Sequence, residues 1–413
     1  MMGSKNTLPE GWRRVKLGEI AEILTGATPL RERMEYWNNG TIPWLTNEEV
    51  EEDKINYIRD TKEKITEVAL KRTNVKLIPE DSVILSLTAS VGKVAINKVK
   101  LTTNQQFNAF IVSKQRAFPL FVGYYLLFSK ENIKMLAGLT TFDFIGRTTI
   151  SNFQILLPPL PEQRKIAEIL ETVDNAIEKT AKIIEKYKRI KQGLMQDLLT
   201  RGIDENGQIR SEETHRFKDS PLGRIPEEWE VVELGCVGDI IYGEGLRQEL
   251  YEPDGDTLVF GTGGIIGRAK LFLDRGPALV IPRKGSITSV FYIQEDQKFW
   301  VIDTAFYLKP KNGYCKFIYF TLCNMNLELL NEATGVPSLS RENIKSIQIP
   351  LLPLPEQHRI ASILSQIDEA IEKEQKYKEK LERIKQGLME DLLTGKVRVN
   401  ELIDGGKNID KQN

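Results

Sequence analysis

A 44-residue sequence that occurs twice constrains the fold of this chain more than any other feature. Residues 160–203 and 354–397 align without a gap at a constant offset of 194, and about 27 of the 44 pairs are identical. Within them, RIKQGLMQDLLT at 189–200 recurs as RIKQGLMEDLLT at 383–394. This distance exceeds any turn or helix period. The repeat therefore indicates that a domain-sized unit was duplicated.

Each copy of the repeat predicts one long helix. Pro161–Glu162 and Pro355–Glu356 suit a first helical turn, because proline needs no N–H partner there and a carboxylate favours the helix dipole. Apolar residues then recur at heptad-like spacing. The residues expected to hold the two helices together are Ile166, Leu170, Val173, Ile177 and Leu194 in the first copy and Ile360, Leu364, Ile367, Ile371 and Leu388 in the second.

The length of these helices favours pairing. About 38 helical residues span about 57 Å. Near the end of each helix the apolar stripe shifts to Ile190, Leu194 and Leu198, or to Ile384, Leu388 and Leu392, as expected for a stutter. Gly193 and Gly387 would weaken the helices unless close packing used them. We expect an antiparallel intramolecular coiled coil, since a whole domain connects the copies. Two amphipathic helices packed on separate domains remain the alternative.

The duplication continues outside the helices. LPEGWRRVKLGEI at 8–20 matches IPEEWEVVELGCV at 225–237, and the offset of 217 makes the second globular part about 23 residues shorter than the first. Residues 81–96 and 276–293 both predict strand, loop, strand, and 121–136 predicts an amphipathic helix.

The predicted fold is α+β, with two mixed α/β domains separated by the two long helices. The expected boundaries are a first domain at 8–160, a helix at 161–203, a linker at 204–224, a second domain at 225–354, a helix at 355–397 and a flexible tail at 398–413. Trp12 and Trp229, at the start of the two domains, are predicted to be core anchors.

Composition excludes several classes of protein. The 413 residues are 41% hydrophobic and 28% charged, with no apolar run suited to a membrane and no leader for secretion, so we expect a cytoplasmic protein. Three cysteines without close pairing predict neither disulfides nor a zinc site. The net charge is −1, and the first 160 residues carry 21 Lys and Arg against 17 Asp and Glu. Any contact with DNA must therefore be local.

No catalytic motif is found. The sequence lacks an ATP-binding G-x-x-x-x-G-K-[ST] loop and the Asn/Asp-Pro-Pro-aromatic loop of amino methyltransferases. FGTGGIIGRAK at 260–270 is one residue too long for a dinucleotide fingerprint and is better explained as a close-approaching turn. Residues 52–54 contain the E-x-K of some nucleases but belong to an acidic loop. We expect no catalytic residue and no metal site.

The repeated motifs resemble those of a known family. The paired tryptophans, LPEQRKIAEIL with LPEQHRIASIL, the KQGLM-DLLT pair and ATGVPSLSRENI at 333–344 are similar to the DNA specificity (HsdS-like) subunit of type I restriction-modification systems. The resemblance spans about residues 8–397. It implies that each globular part is a target-recognition domain reading one half of a bipartite double-stranded DNA site. The helices would set the spacing and dock partner subunits.

The resemblance also implies partners. Two modification subunits would carry the S-adenosylmethionine, so no cofactor is expected in this chain, and restriction subunits would join the full complex. Base reading needs forked donors and amides on loops. The candidate DNA contacts are Arg31, Arg33, Ser90, Lys93, Asn104, Gln105 and Arg147 in the first domain and Arg247, Arg268, Arg283, Lys284, Ser286 and Arg341 in the second.

Two alternative functions are considered beside DNA recognition. The first is an enzyme, a fused methyltransferase or nuclease acting alone, but the loops that it requires are absent. The second is a scaffold that joins protein partners through its helices and does not bind DNA. Charge reversal at Arg283 and Lys284 separates the DNA-binding and scaffold functions.

Overall fold

Two compact units make up the protein in its computed structural model. The described residues are 8–88, 90–137, 145–285, 287–311, 313–331 and 335–403. The first unit comprises residues 1–181 and 376–413, and the second comprises residues 182–375. Each unit thus contains part of each copy of the repeat.

Short strands dominate the chain up to the first long helix. In chain order the elements are β1 (Arg13–Lys16), α1 (Leu17–Ile20), β2 (Ala21–Thr25), β3 (Ile42–Leu45), β4 (Ile55–Ile58), β5 (Glu63–Ile65), α2 (Glu67–Arg72), β6 (Val83–Ser86), β7 (Val94–Asn97), β8 (Thr102–Thr103), β9 (Phe107–Val112), α3 (Pro119–Phe128), α4 (Lys130–Ala137), α5 (Arg147–Ser151), β10 (Gln154–Leu157) and α6 (Leu160–Thr200).

The remaining elements repeat that plan with different lengths. They are β11 (Phe217–Ser220), β12 (Gly223–Pro226), β13 (Glu230–Glu233), α7 (Leu234–Val237), β14 (Gly238–Tyr242), β15 (Thr257–Gly261), β16 (Gly264–Ala269), β17 (Asp274–Arg275), β18 (Ala278–Pro282), β19 (Phe291–Ile293), β20 (Lys298–Val301), β21 (Ala305–Pro310), α8 (Cys315–Cys323), α9 (Arg341–Lys345), β22 (Gln348–Leu351) and α10 (Leu354–Thr394).

The first unit is built on a five-stranded sheet with the order β2-β9-β6-β7-β4. Every residue of β6 and β7 is buried, as expected for β-branched runs in central strands. Helix α3 packs on these two strands. A smaller sheet, β5-β3-β8, lies beside them, and β1 pairs antiparallel with β10.

The second unit repeats this arrangement. Its sheet has the order β14-β21-β18-β19, with α8 packed on β18 and β19, and β13 pairs with β22 as β1 pairs with β10. The smaller sheet, β16-β15-β20-β17, differs because β15 turns directly into β16 as a hairpin. Both predicted strand–loop–strand segments are present, as β6–β7 and as β18–β19.

The LPEQ motif joins each long helix to its globular part. In the first unit the carboxylate of Glu162 accepts hydrogen bonds from Trp12 Nε1 at 3.1 Å and from Arg398 Nε at 2.7 Å. Gln163 accepts one from the backbone N–H of Phe118, the residue before α3, at 2.8 Å. Glu162 is 2% exposed. It therefore binds buried donors, beyond the dipole role predicted for it.

The second unit contains the same arrangement. Glu356 accepts hydrogen bonds from Trp229 Nε1 at 3.3 Å and from Arg210 Nη1 at 2.5 Å. Gln357 accepts one from the N–H of Tyr314, which precedes α8, at 2.8 Å. Trp12 and Trp229 are buried, as predicted for core anchors. Residue 210 lies in the predicted linker, so part of that segment is fixed to a helix.

The two long helices pack antiparallel within each unit. In the first unit, Ile166 and Leu170 near the start of α6 share a core with Leu392 and Leu393 near the end of α10. In the second unit, the end of α6 packs on the start of α10. That core includes Met195, Leu198, Leu199, Ile360, Ala361 and Leu364.

Equivalent ion pairs reinforce this packing. Lys385 Nζ lies 2.6 Å from Asp174 Oδ1 in the first unit, and Lys191 Nζ lies 2.6 Å from Asp368 Oδ1 in the second. By the repeat offset of 194 residues, Lys385 corresponds to Lys191 and Asp368 corresponds to Asp174. The predicted fold class, two mixed α/β domains with a pair of antiparallel long helices, is confirmed.

Three details of the sequence interpretation were wrong. A Cβ added at Gly193 or Gly387 would meet no atom of the described residues within 4 Å, so close packing does not use these glycines. Ile190 and Ile384 are 39% and 42% exposed and lie off the buried stripe. Residues 121–136 belong to two helices, and α3 is buried almost all round because the sheet covers one side and α6 contacts Tyr124 through Asp174.

Among the described residues, no helix combines the length and apolar character needed to span a membrane.

The first residues of the predicted tail pack on the first unit. Val399 is 2% exposed, and Arg398 binds Glu162.

Candidate nucleic-acid interface

Three loops converge at one edge of the main sheet of the second unit. They follow β18, precede β21 and precede α9. The N–H of Arg283 donates to Thr304 O at 3.0 Å, and the N–H of Leu339 donates to Arg283 O at 2.9 Å. These backbone bonds hold the loops together. The rigid sheet therefore presents three irregular segments side by side, as binding sites on loops require.

Two of the predicted arginines meet on an aromatic ring at this edge. The guanidinium carbon atoms of Arg283 and Arg341 lie 5.3 Å and 5.2 Å from the ring centroid of Tyr242. Arg283 Nη1 also donates to Asp303 O at 2.8 Å. Stacking on the ring and this bond fix the planes of the guanidinium groups, which favours directed contacts with base edges or phosphates.

The polar atoms of this cluster retain binding capacity. Within the described part of the chain, Arg341 Nε is buried and has no hydrogen-bond partner, since Glu342 Oε1 lies 3.7 Å away. Lys284 is exposed, and its backbone forms a bridge with Ser338. Tyr242 is 44% exposed. The fold therefore brings together the predicted residues Arg283, Lys284 and Arg341.

The other candidates of the second unit are placed differently. Arg247 is exposed at the start of a short 3-10 turn. Arg268 lies on β16 and donates to Gly255 O at 3.1 Å. No described contact joins either side chain to Tyr242. Ser286 lies outside the described residues.

The first unit has the same edge. The N–H of Leu87, which follows β6, donates to Gln106 O at 2.9 Å, and the N–H of Ile145 donates to Leu87 O at 3.3 Å. Arg147 is the first residue of α5, as Arg341 is the first residue of α9. These two arginines are 194 residues apart, so they occupy equivalent places in the two units.

Local hydrogen bonds orient several candidates at this edge. Asn104 Nδ2 donates to Gln106 Oε1 at 3.1 Å, and the hydroxyl of Thr28 donates to Gln105 Oε1. Lys93 Nζ donates to Asn47 O at 3.0 Å. Arg147 and Gln105 are exposed, whereas Ser90 and Lys93 are half-buried. Lys93 is the last residue of the β6–β7 loop, whereas Arg283 is the first residue of the β18–β19 loop, so the two occupy opposite ends of corresponding loops.

Arg31 and Arg33 have structural partners. Arg31 makes two bonds to the carboxylate of Glu63, at 2.6 Å and 2.8 Å, and lies 4.0 Å from the ring of Trp37. The hydrogen bond from Arg31 holds the pKa of Glu63 below its usual value. Arg33 pairs with Glu35 at 3.4 Å. Arg31 is thus joined to β5 of the small sheet, whereas Arg33 pairs within its own segment. No described contact joins either arginine to Arg147.

The predicted helix contacts are inside the protein. Ile166, Leu170, Ile360, Leu364 and Ile371 are buried. The half-buried ones are Val173, Ile177, Leu194, Ile367 and Leu388. Sequence reasoning missed Met195, Leu199, Met389 and Leu393, which are buried just beside the heptad positions. The identical GLM and DLL triplets of both copies were the available signal.

The glycine-rich stretch at 260–270 forms the β15–β16 hairpin. It is not followed by a helix whose N-terminus could bind a phosphate. Sequence reasoning also missed Tyr242, whose position at the end of a strand gives no sign of the two arginines beside it. Among the described residues, no group of three His, Cys, Asp or Glu side chains is arranged to hold a metal ion.

Comparisons with known proteins point to one family. The model of the type I restriction modification DNA specificity domain matches residues 9–189 and 226–383. The putative type I restriction enzyme MjaX specificity subunit of Methanocaldococcus jannaschii is 30% identical over 421 residues, covering 95% of each chain. The MjaVIII specificity subunit of the same organism is 28% identical over 429 residues, covering 96% of this chain and 95% of the relative.

Solved structures show the same fold. The type I restriction-modification S subunit from M. genitalium superposes with a TM-score of 0.63 at 18% identity, covering 95% of this chain and 98% of that chain. A chain from a study of complex assembly and conformational transition of the type I R-M system gives a TM-score of 0.56 at 20% identity, covering 95% and 100%.

Proposed function

Because the chain belongs to the family of type I restriction modification DNA specificity domains, we propose that it recognises the DNA target of such a system through the two sheet-edge clusters described above. The resemblance inferred from the repeated motifs is confirmed. The chain is a DNA sequence-recognition subunit with two target-recognition domains, and it is not the catalytic subunit.

One observation carries the assignment of the DNA-binding surface. Each unit gathers basic and amide side chains at the same edge of its sheet, with Arg147 and Arg341 at equivalent places. Around them the side chains differ: Asn104 and Gln105 in the first unit, Arg283 and Lys284 in the second. Amides favour adenine and arginines favour guanine. The two units therefore read different halves of a bipartite site.

The two long helices complete the proposal. Each has 41 residues and is about 60 Å long, enough to set the number of unread base pairs between the two half-sites. Their charged outer faces would dock two modification subunits, which would bind the S-adenosylmethionine. Restriction subunits would join the full complex, in the cytoplasm. This chain itself would need no cofactor.

The proposal is tested by producing the chain with its modification subunits in cells and mapping the modified bases. We expect a target of two short blocks separated by a gap of fixed length. A single contiguous target would contradict the proposal. Replacing residues 9–155 by the corresponding part of another specificity subunit should change one block only. A change in both blocks would refute the modular arrangement.

A second experiment separates DNA recognition from a scaffold that binds proteins alone. The double variant Arg283→Glu, Lys284→Glu should lose specific DNA binding in a gel-shift assay and still assemble with the modification subunits. Lys218→Glu is the control, because Lys218 is exposed on β11 in the same unit. Unchanged DNA binding in the double variant would favour the scaffold.

A further inference from the structure

The turn of the β15–β16 hairpin lies beside the arginine cluster of the second unit. The hydroxyl of Thr262, in this turn, is 2.8 Å from Lys284 O and 3.0 Å from Thr304 O. These carbonyl groups belong to the loops that carry Arg283 and precede β21. The hairpin turn is therefore continuous with the proposed DNA-binding surface.

Strand β16, which follows this turn, exposes two large apolar side chains next to each other. Ile265 and Ile266 are 58% and 49% exposed, whereas Val259 and Phe260 on the paired strand are buried. In a regular strand, consecutive side chains point to opposite faces of the sheet. Ile265 and Ile266 would then lie on different faces, and one of them would point towards the core. Exposure of both therefore needs a local irregularity.

A β-bulge provides that irregularity. Val259 pairs with Gly267 and Phe260 pairs with Ile265, so Ile266 is an extra residue without a partner on β15. A bulge of this kind redirects side chains and commonly occurs next to functional sites. At the tip, a Cβ added at Gly263 would meet no described atom within 4 Å. No described atom thus packs against the tip of the hairpin at Gly263, and the strand after it presents isoleucine to solvent.

The shape and chemistry of the hairpin identify the group that it contacts. Strand β16 is the edge strand of its four-stranded sheet, so the edge and its turn are open to a ligand. The major groove of B-DNA, about 12 Å wide, admits β-strands, whereas the minor groove of about 6 Å is too narrow. In the major groove the apolar group on a base edge is the C5-methyl of thymine. Exposed apolar side chains beside a basic cluster match a base edge with a methyl group flanked by phosphates.

We propose that Ile265 and Ile266 read the methyl group of at least one thymine in the half-site bound by the second unit. This inference rests on the proposed function. Among its described residues the first unit has no such hairpin, because β3 leads into a 3-10 turn at Asn47–Glu49 instead of turning back directly. Thymine-methyl reading by this hairpin is therefore confined to one half of the target.

Deoxyuridine substitution tests the proposal. Once modified bases have defined the target, each thymine is replaced singly by deoxyuridine, which removes the methyl group and preserves base pairing. Affinity of the complete complex with modification subunits is measured by gel shift. One or two positions in the second half-site should bind about fourfold more weakly, the effect of one buried carbon group. Ile265→Ala and Ile266→Ala should abolish this difference at the same positions.

Leu271→Ala is the matched control, because Leu271 is 51% exposed just beyond the other end of β16. It should retain the discrimination between thymine and deoxyuridine. A target half-site without thymine overturns the inference, as does unchanged binding at every substituted position or discrimination that persists in both isoleucine variants. In these cases the wild-type complex still binds its target specifically. Absence of specific binding by the wild type overturns the proposed function as well.

Discussion

Glu356 is the residue at which the structure makes its sharpest prediction about stability. Its carboxylate is 4% exposed and is bound by Arg210, whose side chain is 11% exposed. It also accepts hydrogen bonds from Trp229 Nε1 at 3.3 Å and from the N–H of Ile203 at 2.9 Å. These donors come from three separate segments of the second unit. Glu356→Ala therefore removes their common acceptor.

The expected loss is large because the donors stay behind. Removing one partner of a buried ion pair costs about 3–5 kcal/mol, since the other charge remains buried and uncompensated. Glu356→Gln loses the charge and keeps one acceptor oxygen, which serves either Ile203 or Trp229, because these donate to different oxygens of the carboxylate. It should cost at least about 1.5–3 kcal/mol, the contribution of a hydrogen bond to a charged group. Glu162→Ala should cost less than Glu356→Ala, because the Arg398 side chain is 27% exposed and water can replace its partner.

Calorimetry and amide hydrogen exchange measure these effects. A loss of 3–5 kcal/mol in a unit of this size lowers the Tm by about 6–20 °C. Exchange of the Ile203 amide should accelerate in Glu356→Ala, because its acceptor is the deleted carboxylate. Glu212→Ala is the matched control: Glu212 pairs with Arg224 at 3.0 Å, both side chains are about half exposed, and the expected loss is at most about 1 kcal/mol.

The reasoning would be refuted if Glu356→Ala and Glu212→Ala lowered the Tm equally. Unchanged exchange of the Ile203 amide in Glu356→Ala would also refute it. Either result would mean that the buried carboxylate does not hold these segments together.

Two further predictions concern the helices and a buried thiol. Gly193→Ala and Gly387→Ala should each raise the free energy of unfolding by about 1 kcal/mol, since no described atom lies near either glycine; a lower Tm would contradict this. Burial raises the pKa of the Cys315 thiol to about 12, so iodoacetamide at pH 8 should label Cys236 but not Cys315 in the folded protein, as read by mass spectrometry. Because the folded pKa of Cys315 exceeds the unfolded one, this contribution to stability is complete below about pH 9 and is lost as the pH rises towards 12. Rapid labelling of Cys315 would refute its burial.

The sequence allowed the architecture to be predicted because the repeat is long and regular. A gapless match over 44 residues fixed both helices, and the heptad spacing of Ile166, Leu170, Ile360 and Leu364 identified four residues that are fully buried. The predicted shift of the stripe near the end of each helix is correct for Leu198 and Leu392, which are buried, and wrong for Ile190 and Ile384, which are exposed. The neighbouring Leu199 and Leu393 complete the core there.

The sequence predicts the candidate DNA contacts one by one and does not show which of them lie together. The fold brings Arg283, Lys284 and Arg341 to one sheet edge. The same loop pattern indicates Arg31, whose guanidinium binds Glu63 and stacks on Trp37. Residues 31 and 63 are distant in sequence. Whether an arginine is free or paired depends on such long-range contacts, which local patterns do not contain.

The two glutamates of the LPEQ motif illustrate how a buried charge constrains a duplicated fold. Arg398 binds Glu162, and by the offset of 194 its counterpart in the first copy is Asp204, which cannot supply a positive charge. Arg210, six residues later, binds Glu356 instead. The two copies have diverged in this segment, yet each buried carboxylate retains an arginine. Each buried carboxylate therefore needs an arginine partner, whatever the position of that arginine in the sequence. An unpaired buried carboxylate costs more free energy of folding than a rearranged loop. Among the described residues, the loops at the candidate DNA-binding edges contain no such buried ion pair, and their side chains differ between the two units.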